Sequence, residues 1–232
     1  MTITNDPTGM LNLVEIMAKL RSATGCPWDK KQTPISLKPF ILEEAYELLE
    51  AIDNNNADDI CDELGDNLLQ VVFIAQMFKE INSFTIADVT KAISDKLIRR
   101  HPHVFGNECA SNHTANWDKI KSLERTTKGK GNNLADRIPD NLPALKKATK
   151  VAKKIVDADA TVNISKVNDT LQQLSKTITT TDSSQDNIAT TFGELLFEVV
   201  QLANSLQLDS EDILRKKTLD VMTKIDCQNI AT

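Results

Sequence analysis

The amino-acid sequence predicts an all-α fold, and three observations carry that prediction. Apolar residues recur at the 3.6-residue helical period through most of the 232 residues. Only 7 Gly and 7 Pro punctuate the chain, too few for the many turns of an all-β protein. Aromatic residues, which strands favour, make up 4%. With 41% apolar and 26% charged residues the composition is that of a soluble globular protein, long enough for one large domain or two of common size.

Taken in order, Leu13, Ile16, Met17 and Leu20 define a first short amphipathic helix. Gly25 to Asp29 (GCPWD) reads as a tight turn capped by Asp29. Ile41, Leu42, Ala45, Leu48, Leu49 and Ile52 line one face of a second helix, and the tract Asn54, Asn55, Asn56 turns the chain. A third helix is expected from about Ala57 to about Ile81; its middle is apolar nearly all round, as in a helix buried on most sides. A fourth runs from about Ile86 to Arg100 and stops before Pro102, whose ring disfavours helical backbone in the preceding residue. A fifth short helix is expected to carry Trp117 and Lys121.

Thr126 to Asn141, with two Gly, one Pro and many small polar residues, reads as a linker. Beyond it the helical pattern restarts. Leu145 to Val156 is basic and amphipathic, Val167 to Ile178 forms the next helix, TTTDSSQDN is a loop, and Thr190 to Leu206 is again apolar. A last helix begins near Asp209, capped by Asp209 or Ser210. The chain therefore divides into residues 1–125, a linker 126–141 and residues 142–232.

The two parts resemble each other. ELGDNLLQVVFIAQ from Glu63 aligns with TFGELLFEVVQLAN from Thr191 at an offset of 128, and ILEEAYELL from Ile41 aligns with TLQQLSKTI from Thr170 at 129. Duplication of a helical unit is the economical reading.

Charge and composition exclude several classes. A net charge of −6 argues against a general binder of nucleic-acid polymers. No apolar run approaches the roughly 20 residues of a membrane span. The start, MTITNDPTGM, has neither a basic nor an apolar leader region, so no secretory signal is expected. Cys26, Cys61, Cys109 and Cys227 lack CxxC spacing and read as reduced thiols of a cytoplasmic protein.

Chemistry concentrates in two acidic clusters: Glu43, Glu44 and Glu47 (EExxE) on the second helix, and Glu63 and Asp66 (ExxD) on the third. Residues three and four apart share a helix face, so antiparallel packing across the Asn-rich turn lets Glu44, Glu47, Glu63 and Asp66 converge. Carboxylates that close repel unless a cation lies between them, and hard ions such as Mg²⁺ want oxygen ligands. For the second helix alone a solvated acidic face is the commoner explanation. The third helix differs. Glu63, Asp66, Asn67 and Gln70 form a polar stripe on an apolar helix, and a buried polar stripe needs partners. Gly65 between the two acids is placed to permit close approach of a helix or ligand.

Basic groups follow. Lys96 and Arg100 are one turn apart, with Arg99 adjacent. They either complement the helix dipole or clamp a polyphosphate. Trp117 and Lys121 are again i, i+4; the Trp is either core or a nucleobase platform. His101 and His103 flank Pro102, but that spacing is weak evidence for a metal site.

GCPWDKKQT, EExxE, ExxD after 15 residues, KLIRRHPHVF and WDKIK, in this order, resemble the MazG family of nucleoside triphosphate pyrophosphohydrolases. The resemblance implies an all-α, four-helix-bundle type of fold in tandem copies, usually dimeric, acting on a nucleoside triphosphate substrate. It implies Mg²⁺-dependent cleavage between the α and β phosphates. By position Glu44, Glu47, Glu63 and Asp66 correspond to metal ligands, and Glu43 orients water or substrate. Lys96, Arg99 and Arg100 correspond to phosphate contacts, Trp117 and Lys121 to nucleotide contacts. The second copy departs from the pattern: EExxE aligns with Gln172, Gln173 and Lys176, ExxD with Thr191 and Glu194, and Lys96 with Asp220. No metal site is expected there. Its surviving apolar series, Leu195, Leu196, Val199, Val200 and Leu202, must be buried within its own half, against the first half or against a second subunit. The competing reading is a non-catalytic helical scaffold or a dimeric nucleotide-binding module derived from this family.

Overall fold

The computed structural model describes residues 8–106, 120, 121, 123, 124, 127, 133–156, 164–179 and 184–230. Every regular element among them is helical, and the chain forms two compact units, Met1–Asp118 and Lys119–Thr232.

In the first unit, α1 (Met10–Leu20) follows Gly9, which takes the left-handed conformation at φ 69. α2 (Pro27–Lys31) corrects the reading of GCPWD. Pro27 opens a short helix, because its fixed φ suits the first helical position, and Asp29 lies inside the first turn with no side-chain cap. Gly25 is required here: a Cβ would lie 2.1 Å from the carbonyl oxygen of Leu20, which accepts the Cys26 N–H. α3 (Lys38–Asn54) ends on Asn55 in the left-handed region at φ 53. The Asn56 side chain then accepts the Asp58 N–H and caps α4 (Ala57–Glu80), so the three asparagines close one helix and open the next. A capping box of Thr85 and Asp88 starts α5 (Ile86–Arg100), and α6 (Pro102–Phe105) restarts at Pro102.

α4 packs against α3, α1 and α5. The core consists of Met17, Leu37, Val72, Phe73 and Met77, with Leu13, Phe40, Ile41 and Leu69 around it. This corrects the expectation that α4 is buried on most sides. Its buried residues are Gln70, Val72, Phe73, Ala75 and Met77, whereas Leu64 is 54% exposed and Leu68 and Val71 are also exposed. Three neighbouring helices cover one face, and the buried residues all lie in the C-terminal half.

Arg21 ties the α2 segment to the end of α4. Nε and Nη2 donate to the two carboxylate oxygens of Glu80, each at 2.8 Å, and Nη1 donates to the carbonyls of Asp29 and Gln32. The guanidinium lies 5.6 Å from the Phe73 ring centroid and holds the Glu80 carboxyl below its ordinary range. Arg21→Met removes every one of these donors. The expected loss is about 2 kcal/mol, the scale of charge-assisted hydrogen bonds, with faster amide exchange in α2 than in α4. Unchanged exchange in α2 refutes the tie.

The second unit contains α7 (Leu134–Arg137), α8 (Ala144–Val156), α9 (Ile164–Thr179), α10 (Gln185–Ser205) and α11 (Ser210–Ile230). α7 and the buried Ile138 lie inside the stretch expected as a linker. α10 begins five residues earlier than expected: Ser184 caps it by accepting the Asn187 N–H, and Asp186 sits in its first turn. Asp209 accepts the N–H groups of Glu211 and Asp212 and ion-pairs with Lys146. Ala152, Leu174 and Val200 are buried, and Lys166 reaches the nearly buried Glu198 at 3.2 Å. Leu196 and Val199 are exposed on the chain, so of the surviving apolar series only part points inward.

The duplication is visible in three dimensions. α4 and α10 start at Ala57 and Gln185, the offset of 128 seen in the sequence. α3 and α1 pack on α4 as α9 and α8 pack on α10.

Candidate metal centre

Two residues separate α3 from α4, so the helices run antiparallel as a hairpin. Glu44 on α3 then faces Glu63 and Asp66 on α4. Carboxylate oxygens of these three residues lie within 4.8 Å of one another, and no other such cluster occurs among the described residues. Glu47 stands outside this trio but close enough for its charge to act on both Glu44 and Glu63. Glu43 is exposed beside Glu44. The expected convergence of four carboxylates is thus a trio with Glu47 at its edge, since Glu47 sits one turn further along α3.

The electrostatics register the crowding. Glu44 is pushed up from its usual 4.5, first by burial and then by the charges of Asp66, Glu47, Glu63 and Glu43. Glu63 is pushed up by burial, then by Glu47, Asp66, Asp62 and Asp59. One oxygen of Glu63, Oε2, is buried without a hydrogen-bond partner. An orphaned carboxylate oxygen beside two further acids fits a hard divalent cation, which accepts oxygen donors and offsets their repulsion.

Asn67 is the contributor that sequence reasoning left without a role. Its Nδ2 donates to the backbone carbonyls of Glu44 at 2.9 Å and Glu63 at 2.8 Å. The signal was its place on the polar stripe, but its partner on α3 is 23 residues away. At Gly65 a Cβ meets nothing within 4 Å, so no neighbouring helix requires glycine there. Lys96, Arg99 and Arg100 occupy the last two turns of α5, which packs on α4. Lys121 is helical and exposed. Trp117 lies outside the described residues. His101 Nδ1 lies 2.6 Å from the Leu97 carbonyl oxygen, and its ring is 5.7 Å from that of His103.

In the second unit Gln173, Lys176, Thr191 and Glu194, the counterparts of Glu44, Glu47, Glu63 and Asp66, line one cleft of about 410 Å³. The cleft survives, while one carboxylate remains of four and a lysine stands at the Glu47 counterpart.

The raised carboxyls imply a pH effect. Between 4.5 and their raised values the folded protein holds protons on Glu44 and Glu63 that the unfolded chain releases. Metal-free stability therefore falls as pH rises through that window. Glu80 and Asp88, held low by their partners, titrate in a lower window and act in the opposite sense. Saturating Mg²⁺ should remove the fall, raising stability by about 2.7 kcal/mol at a hundred times its Kd. Melting curves from about pH 5 to about pH 8 with and without Mg²⁺ check this; a gap that narrows with rising pH refutes it.

The model of the MazG nucleotide pyrophosphohydrolase domain matches residues 32–105, which span the hairpin and α5. A nucleoside triphosphate pyrophosphohydrolase/pyrophosphatase MazG of Thermotoga maritima is 42% identical over 215 residues, covering 89% of this chain and 80% of its own length. A nucleoside triphosphate pyrophosphohydrolase of Escherichia coli is 41% identical over 213 residues, covering 88% of this chain and 81% of its own length. A Bacillus subtilis protein, YabN, is 50% identical over 141 residues, covering 60% of this chain and 28% of its own length. The chain belongs to the MazG family.

Proposed function

We propose that this protein hydrolyses nucleoside triphosphates between the α and β phosphates, releasing a monophosphate and pyrophosphate, with Mg²⁺ as its cofactor. The trio of Glu44, Glu63 and Asp66 carries the reading, and relatives bearing that activity in their names, aligned along four-fifths of their length, support it. Glu44, Glu47, Glu63 and Asp66 hold the metal. When bound, the metal neutralises phosphate charge and lowers the pKa of a bound water. Glu43, exposed on the outer side of Glu44, orients the attacking water or the substrate. Lys96, Arg99 and Arg100 bind the phosphates and stabilise charge that develops on them. Trp117 stacks on the base and Lys121 reaches a phosphate. Catalysis belongs to residues 1–125, and residues 142–232 contribute packing.

We further place the enzyme in the cytoplasm as a homodimer without nucleic-acid-polymer or membrane partners. No helix among the described residues is long and apolar enough to cross a membrane, and Cys26 and Cys61 are free thiols. Leu42, Leu49, Leu64, Leu68 and Val71 leave an apolar surface on the α3–α4 hairpin that a second copy would cover.

Pyrophosphate release measured across normal and modified triphosphates, with and without Mg²⁺, tests the activity; no release above blank leaves the scaffold reading. Glu194→Gln should leave the rate within about twofold, because one carboxylate among Gln173, Lys176 and Thr191 holds Mg²⁺ poorly. A folded Glu194→Gln variant that lost most of its activity would place chemistry in the second half.

A further inference from the structure

Asn67 spends both protons of its amide on the two residues whose carboxylates the helix hairpin brings together. One goes to the Glu44 carbonyl on α3 at 2.9 Å, the other to the Glu63 carbonyl on α4 at 2.8 Å. A carbonyl oxygen has two lone pairs, so each can accept this bond beside its own helical one. The peptide groups that carry Glu44 and Glu63 are thereby held at a separation set by one planar group. That crosslink lies at the layer where the carboxylates repel each other. Helix propensity does not account for Asn here, since Asn is a poorer helix former than Leu. Burial does not account for it either, because the side chain is only half-buried.

The duplicated half supplies an internal comparison. Position 67 corresponds to Leu195 at the offset of 128, and Glu44 and Glu63 correspond to Gln173 and Thr191. The crosslink and the carboxylates are absent together, while the hairpin of α9 on α10 persists. The hairpin packs without the crosslink, so the crosslink is tied to the carboxylates.

We propose that Asn67 is a positioning residue of the metal centre, whose amide sets the distance between Glu44 and Glu63 so that three carboxylate oxygens meet one ion. The inference rests on the metal-binding reading of the trio. Without the crosslink, mutual repulsion opens the hairpin at this layer, and the ion must supply the energy of closing it.

Asn67→Leu tests the role in the full chain, since Leu occupies the equivalent position of a folded hairpin. Titration calorimetry with Mg²⁺ alone, without nucleotide, should show affinity weakened about 10–100-fold, the usual cost of losing a group that orients ligands. The metal-free melting temperature should stay near that of the unaltered protein. Pyrophosphate release should fall at low Mg²⁺ and recover as Mg²⁺ is raised. Asn67→Gln, which keeps both donors, should restore most of the affinity, and Asn67→Ala should reproduce the loss if Leu perturbs folding. Unchanged Mg²⁺ affinity in folded Asn67→Leu and Asn67→Ala overturns the inference. So does a large loss of metal-free stability with no change in Mg²⁺ affinity. If the unaltered protein itself binds no Mg²⁺, it is the reading of the trio that falls.

Discussion

Glu63→Gln or Asp66→Asn should abolish turnover, by at least about 10²–10³-fold, the scale for removing one pre-organised charged group from a phosphate-handling site. Each change removes a ligand charge and almost no volume, so the helices persist. The sharper expectation concerns the metal-free protein. Burial and neighbouring charges raise Glu44 and Glu63 in the folded state, so charge in this trio is destabilising when no cation is present. Neutralising one member relieves that repulsion. The metal-free variants should therefore melt no lower than the unaltered protein, and lose the Mg²⁺-induced rise in melting temperature. Activity and stability move in opposite directions, as is common where a site is built from mutually repelling groups. Circular dichroism melts with and without Mg²⁺, beside a pyrophosphate assay, decide the point. Near-normal turnover of either variant at saturating Mg²⁺ refutes the ligand assignment.

Phe73→Ala costs about 3–5 kcal/mol, a large part of the stability of an ordinary domain. Phe73 is 3% exposed and sits among Met17, Leu37, Val72 and Met77. Its ring also lies under the Arg21 guanidinium, whose Glu80 pair anchors the α2 segment. Removing the ring leaves a cavity in the core of the first unit and takes away that support. Urea unfolding of the full chain should show the first transition shifted to lower denaturant. Cys61→Ala, on the same helix but exposed, serves as the control and should change chain stability by well under 1 kcal/mol. Equal effects of the two substitutions would show that the face of α4 assigned to the core is wrong.

Much of the fold was legible because helices are local. The apolar period, the Asn54–Asn56 turn, the Asp209 cap and the stop before Pro102 each depend on residues within about four positions. The same locality made EExxE and ExxD readable as carboxylates on single helix faces, and made the duplication visible as a constant offset. Where local signals competed, the reading slipped. Pro27 and Asp29 can each mark a turn, and the helix start at Pro27 prevailed. Ser184 stood in a string of small polar residues and proved to be a cap rather than loop.

The amino-acid sequence by itself determined the helical elements, the repeat, and which residue types could make a metal centre. Only the tertiary structure decided that Glu44, Glu63 and Asp66 form the trio with Glu47 at its edge, and that Asn67 bridges their backbones. It likewise decided that Arg21 reaches across 59 residues to Glu80, and which face of α4 is covered. The reason is physical. Periodicity fixes the direction of a side chain around its own helix axis. The distance between two such side chains depends on the spacing and rotation of neighbouring helices, which the packing of Met17, Leu37, Val72, Phe73 and Met77 sets at positions remote in sequence from the acids they bring together.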